Sequence, residues 1–420
     1  MNARTIWSLL LVAAALFTGC STKEEADPAP EFELTTEVGE GMPLFVVPDT
    51  KVELAYTANH VQHVAAGTLP EGWSVEVLDA EQRIVLTATA DAATAATLTL
   101  TATGTGSQQA ERQVALRCLN AFDDPPGAFV LNEGNMTTEN GSLTYITPEG
   151  HVLPDAYQTV NGTQLGNVAQ DMDFCDGKIY VISQNGDRNA TGTSFENDGM
   201  LVVMDARTLR RTAGFTREQL AQLDWPTHIA AVDERHVYVR DNAGVYRLDT
   251  TNGELTFVSG SEGAPKSRFA KIGDKVYTYK SGYISKILEI SPESDAVRSI
   301  SLPVSGVSCD INEVLGIQAA DDGRMWVMSF GFGKSAMNKF DLETRKVIQR
   351  QVSFKPETGS SGVAFVARGN DIYYADGMTI YHLPFDESAD LDAASGLDAE
   401  EWMADLSAFD SQAGMCYNGL

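Results

Sequence analysis

The chain has 420 residues, 58 of them Asp or Glu against 30 Lys or Arg, for a formal net charge of −28. A field of that sign repels phosphate backbones, so nucleic acid is not an expected partner. Besides Cys20, four cysteines lie far apart, Cys118, Cys175, Cys309 and Cys416, and the lack of any Cys-x-x-Cys pair argues against a zinc knuckle or a redox dithiol.

Residues 1–19 place Arg4 before an apolar run from Trp7 to Phe17, interrupted only at Ser8. That run is too short for a permanent transmembrane helix and reads as an export signal. Phe17-Thr18-Gly19-Cys20 resembles a lipoprotein lipobox, which would make Cys20 the lipidated first residue of the mature chain, although Phe17 stands where Leu is usual. Lys23-Glu24-Glu25 resembles the export tag of Bacteroidota lipoproteins sent to the outer face of the outer membrane. Residues 20–31 then form an acidic linker, and the expected location is the outer membrane, lipid-anchored and facing the exterior.

Residues 32–119 carry "FELTTEV", "KVELAYTA", "WSVEVLD", "RIVLTATA", "TLTLTATG" and "RQVALRCL", which alternate apolar with polar residues. Six or seven short strands in about ninety residues predict an immunoglobulin-like β-sandwich, with Trp73 as a core aromatic. "NAFDDPPGA" marks a boundary, because paired prolines stop regular structure.

Residues 127–420 repeat themselves. A turn, a hydrophobic residue and an aromatic recur at Tyr180, Tyr238, Tyr277, Trp326 and Tyr373, each trailed by further strand signals such as "LVVMDARTLRR". One four-stranded unit per repeat predicts a β-propeller. The chain is therefore read as all-β. Residues 127–157 supply three strands of the first blade, and "SQAGMCYNGL" reads as an inner strand; the expectation is a seven-bladed type with an incomplete last blade, the alternative a closed six-bladed ring.

Antiparallel strands send alternate connections to opposite faces. The first-to-second and third-to-fourth turns are expected to be tight. The others are expected to be long, including "NEGNMTTEN", "QNGDRNATGTSFEND", "GFGKSA", "YQTVNGTQLGN" and "FDESADLDAASGLDAEEWMADLSAFDS", so that one face is elaborated. That face offers Asn132, Glu133, Asn135, Asn161, Gln164, Asn185, Asn189, Trp225, His228, Tyr283, Phe330 and Phe332 as ligand-binding candidates, a set rich in amides and flat rings that suits a large polar ligand of little charge.

Asn185, Asp187, Asn189 and Glu196 fall at calcium-loop spacing, but Ala190 replaces the turn glycine and no helices flank the loop, so the metal signal is weak. Six histidines are scattered singly, with no G-x-S-x-G or H-E-x-x-H motif. No catalytic residue and no cofactor is expected, and a lactonase-like enzyme is the least favoured alternative.

"GAFVLNEGN" through "GSLTYITPEG", and "LGNVAQDMDFCDGKIYVISQN", resemble the surface-exposed YncE-like, DUF5074-type propeller lipoproteins of Bacteroidota, relatives of the cobalamin-capturing BtuG-type proteins. The resemblance implies a surface protein that captures a nutrient, cobalamin or another corrinoid, for a TonB-dependent outer-membrane transporter. The alternative class is a module that binds a protein or glycan.

Overall fold

The computed structural model describes residues 27–36, 42–188, 196–280, 285–302, 313–356 and 365–408. Cys20, Lys23, Glu24, Glu25, Asn189, Tyr283, Cys309, Cys416 and the closing segment "SQAGMCYNGL" lie outside the described residues, and with them the expectations about anchoring and about the closing strand. Two compact units are present, one ending at Cys118 and one beginning at Leu119.

The first unit holds β1 (Glu31–Leu34), β2 (Leu44–Val46), β3 (Val52–Asn59), β4 (Val61–Ala66), β5 (Trp73–Leu78), β6 (Arg83–Ala88), β7 (Ala95–Gly104) and β8 (Gln109–Cys118). They form two four-stranded sheets, ordered β1-β3-β6-β5 and β2-β8-β7-β4. Strict alternation in β6 and β7 turns Ile84 and Leu86, and Leu98, Leu100 and Ala102, into one shared core. Trp73 is buried there, with its indole N–H donating to the Ala93 carbonyl at 2.9 Å. The strands number eight because the short apolar piece at β2 pairs in parallel with the end of β8.

The second unit opens with β9 (Ala128–Asn132), β10 (Ser142–Ile146), β11 (Val152–Leu153) and a short helix α1 (Ala156–Asn161). Its strands continue as β12 (Asn167–Cys175), β13 (Lys178–Gly186), β14 (Leu201–Asp205), β15 (Arg211–Phe215), β16 (His228–Asp233), β17 (His236–Arg240), β18 (Val245–Asp249) and β19 (Glu254–Phe257). Then come β20 (Ala270–Ile272), β21 (Lys275–Lys280), β22 (Lys286–Ser291), β23 (Ala296–Ser301), β24 (Glu313–Ala319), β25 (Met325–Gly331), β26 (Lys334–Phe340) and β27 (Val347–Val352). The last sheet contains β28 (Phe365–Arg368), β29 (Asp371–Asp376), β30 (Thr379–Pro384) and β31 (Glu401–Asp405), with helix α2 (Ser395–Ala399) before its final strand.

Among the described residues these strands make one three-stranded sheet, β11-β10-β9, and five four-stranded sheets in chain order. Neighbouring sheets meet through their first strands, β12 with β16, β20 with β24 and β24 with β28. The second and third strands are buried on both sides, as in β17 and β26, because a sheet lies against each face; the fourth strands β15 and β23 are largely exposed. The repeated aromatic lies in that buried layer at Tyr180, Tyr238, Tyr277 and Trp326. In the last sheet Tyr373 is instead half-buried and stacks on His382, and its neighbour Tyr374 takes the buried place. Cys118 and Cys175 are free thiols.

Tight turns at 176–177, 234–235, 273–274 and 369–370 share one end of the sheets with most third-to-fourth connections. Loops 133–141, 154–166, 216–227 and 258–269, with residues 187–188 and 196–200, gather at the other end. Two loops depart from the expected division. Residues 385–400 leave β30 and re-enter β31 at the tight-turn end, since Glu401–Asp405 pairs as a strand with β30. The segment folds back over β27, where the Gln351 N–H donates to the Ala393 carbonyl at 2.6 Å. "GFGKSA" is not a long loop: β25 and β26 join through Phe332-Gly333 alone, with φ of 48° and 76°, the left-handed pair that a type I′ hairpin requires.

Candidate functional site

A cleft of about 450 Å³ opens between loop 133–141 and the segment around α1. Its lining includes Asn132, Thr138, Glu139, Asn140, Ser142, Asp155, Tyr157, Gln158 and Gln164. Most of these groups are amides or hydroxyls.

Loop 133–141 is built by Asn135. Its side-chain oxygen accepts the N–H groups of Thr137 and Thr138 at 2.9 and 2.7 Å, and its amide nitrogen donates to Thr138 Oγ1 at 2.7 Å. This Asx-type turn holds the loop without regular secondary structure. Gly134, at φ 73°, passes so near residue 140 that an added Cβ would sit 2.4 Å from the Asn140 carbonyl oxygen.

Asn167 supports the loop from below. It is fully buried at the start of β12, and its amide nitrogen donates to the carbonyls of Asn135 and Glu139 at 2.8 and 2.7 Å. Its oxygen in turn accepts from Asn185 Nδ2 at 3.0 Å. Two stacked buried amides therefore hold one wall of the cleft.

On the opposite wall, Asn161 donates to the carbonyls of Tyr157 and Leu209 at 3.0 and 2.8 Å and accepts from the Arg211 N–H at 2.9 Å, fixing the end of α1. The Tyr157 hydroxyl donates to Asp198 Oδ2 at 2.5 Å; burial and that carboxylate raise its pKa well above the usual phenol range, so it stays a proton donor. Asp198 also pairs with Arg211. Asn140 closes the rim, donating to Gln164 Oε1 at 2.8 Å and accepting from Asn197 Nδ2 at 3.0 Å.

Asn132 Nδ2 donates to Ser142 Oγ and Thr144 Oγ1 at 3.1 and 3.0 Å. Its oxygen, and the Gln158 nitrogen, have no protein partner among the described residues. The cleft thus presents an unused acceptor and an unused donor to a ligand.

The other candidates scatter. Glu133 accepts from Gln170 Nε2 at 2.5 Å beside β12, outside the cleft lining. Asn135, Asn161 and Asn185 spend their amides inside the protein. His228 begins β16, and Trp225 and Phe332 are exposed on other loops, while Phe330 packs half-buried against the last sheets. Of the calcium candidates, Asn185 is taken by Asn167, and Asp187 accepts the Arg217 N–H at 3.0 Å. Glu196 is exposed, and no cluster of metal-binding side chains occurs among the described residues. Asn140, Gln158, Tyr157 and Asn167 escaped the sequence reading. Asn140 stands in an Asn-Gly pair that passes for an ordinary turn, and α1 is too short to carry a helical period.

A family model described as a domain of unknown function, DUF5074, matches residues 126–411. The chain belongs to the DUF5074 family. That match spans every strand from β9 to β31 and contains the whole cleft. No curated protein matches this DUF5074 chain. Among solved structures it is similar to a quinoprotein alcohol dehydrogenase-like protein from Bacteroides thetaiotaomicron, at 14% identity and TM-score 0.46 over 86% of this chain and 82% of that one. It is also similar to a structural genomics protein of unknown function from the same organism, at 13% identity and TM-score 0.35 over 83% and 95%. An extracellular domain assigned to a hybrid two-component system of B. thetaiotaomicron matches at 14% identity and TM-score 0.38, over 71% of this DUF5074 chain and 36% of its own.

Proposed function

We propose that this chain is a surface binding protein, held on the outer membrane by a lipid on Cys20, that captures a neutral polar nutrient in the cleft and passes it to a TonB-dependent transporter. The observation that carries this reading is the unused Asn132 oxygen and Gln158 nitrogen in a cleft of amides and hydroxyls held rigid by buried Asn167 and Asn185. The lining is dominated by amides and hydroxyls, with the carboxylates Glu139 and Asp155, groups suited to recognising a polar ligand through hydrogen bonds.

A corrinoid is the first ligand to test, because its peripheral amide arms match the amides here, and the cleft would seat one edge of the ring. Titration of the full chain with cobalamin, followed by its visible absorption, should give a saturable change. Asn132→Ala and Gln158→Ala should each weaken it about tenfold, since each leaves a ligand amide without its partner. A second reading, a glycan-binding module, is favoured by the carboxylates Glu139 and Asp155 on the rim, which accept from sugar hydroxyls. No absorption change with cobalamin, together with glycan binding that the same variants abolish, would decide for it. Loss of neither ligand on substitution would overturn the cleft as the site.

A further inference from the structure

A second group of side chains lies at the same end of the sheets but outside the cleft, and it has the opposite character. Arg240 ends β17 and is more than nine-tenths buried. Its guanidinium donates to two neutral acceptors, the Ala264 carbonyl and Thr227 Oγ1, both at 3.2 Å. No carboxylate pairs with it among the described residues. The adjacent buried Asp241 spends its oxygens on the N–H groups of Asp224, Ala243 and Gly244 at 2.9, 2.8 and 3.1 Å and acts on Arg240 only through its charge, without a hydrogen bond to it. A buried guanidinium cannot shed its charge, so a fold that keeps one without a carboxylate hydrogen-bonded to it has a strong field to satisfy.

His228 is the ladder partner of Arg240, and its Nδ1 lies 2.9 Å from Thr227 Oγ1. That oxygen also accepts from Arg240. With its proton on Nε2 the imidazole offers a second donor. Burial, followed by the charges of Arg268, Arg240 and Lys266, holds the His228 pKa down to about 3, so the ring stays neutral. Lys266 is half-buried and has no ion pair or hydrogen bond among the described residues. Arg268 is 60% exposed and reaches Asp171 Oδ1 at 3.0 Å with one nitrogen. Asp171 is the single carboxylate paired with this group of cations among the described residues. In a chain of charge −28 this is a local concentration of positive charge, with Arg240, Lys266 and Arg268 gathered against Asp171 and Asp241.

We propose that His228, Arg240, Lys266 and Arg268 form a binding site for an oxyanion group, carboxylate or phosphate, separate from the cleft. Arg240 supplies fixed charge, His228 Nε2–H a directed donor, and the mobile heads of Lys266 and Arg268 close over the anion. This inference stands independently of the cleft reading.

The test is calorimetric titration of the full chain with inorganic phosphate, with acetate and with chloride, at constant ionic strength. Saturable binding of phosphate or acetate, with chloride at least tenfold weaker, is expected; the stronger of the two names the source. Lys266→Ser and Arg268→Ser should each weaken it about tenfold. His228→Ala should weaken it, and His228→Gln, which restores an N–H donor, should recover most of the loss. Asn132→Ala should leave anion binding unchanged. Equal affinity for chloride, or unchanged binding in Lys266→Ser and Arg268→Ser, would overturn the site.

Discussion

Replacing Asn167 by Ala tests the origin of the cleft's rigidity. The substitution deletes three hydrogen bonds at 2.7, 2.8 and 3.0 Å from a fully buried residue. Two of the stranded groups, the carbonyls of Asn135 and Glu139, belong to an accessible loop where water can replace the lost donor at little cost. The third, Asn185 Nδ2, is in a residue only 2% exposed, and leaving such a donor unsatisfied costs about 1–3 kcal/mol. Adding the lost net contribution of the two loop bonds, at about 0.5–1 kcal/mol each, gives a destabilisation of about 2–5 kcal/mol. Chemical denaturation measures the total, and hydrogen exchange on peptides spanning 133–141 locates it. Asn185→Ala should cost about 1–3 kcal/mol, because it leaves the buried Asn167 oxygen unpaired while Asn167 keeps its two bonds to the loop. The double variant should add little to Asn167→Ala, since the two share a bond. A loss under about 0.5 kcal/mol for Asn167→Ala, with exchange in the loop unchanged, would refute the claim that the stacked amides hold the cleft.

Phe332→Asn should stabilise the protein by up to about 1 kcal/mol, because Asn accepts the left-handed conformation of the Phe332-Gly333 turn more readily than Phe does; a lower denaturation midpoint would show that the ring makes contacts beyond the turn. Glu289 is buried and bonded to Arg298, Lys275 and Tyr277, and although burial alone would raise its pKa, those bonds bring it down to about 2. With its folded value below the ordinary 4.5, the group contributes stability above about pH 4.5 that is lost as the pH falls towards 2. Glu289→Gln should therefore be less stable at pH 7 and flatter between pH 5 and 2 than the parent chain, as measured by denaturation across that range; parallel profiles would be the contrary result.

Residue pattern by itself determined the all-β character and the repeat. Strict alternation in β6 and β7 leaves one face apolar and one polar, and the turn-plus-aromatic element recurs because each copy enters the same buried second strand. The elaborated end followed from connection length wherever the strands around it were strong. Reading failed at β31, where Glu401–Asp405 is almost wholly exposed and carries no alternating signal; its pairing with β30 moved residues 385–400 to the other end. It failed again at Phe332-Gly333, where strands extend through residues that resemble a loop.

The tertiary structure alone decided which amides face a ligand. In β12 and β13 both faces are buried, and register shifts interrupt the ladder after Asn167, so the period of two no longer tells inward from outward. Asn167 and Asn185 became supports, while Asn132, Asn140, Gln158 and Gln164 came together from segments that only folding makes adjacent. Arg240 and Arg268 act on His228 for the same reason: one ends β17 and the other lies in the loop before β20, and nothing in local sequence records that their charges share one place.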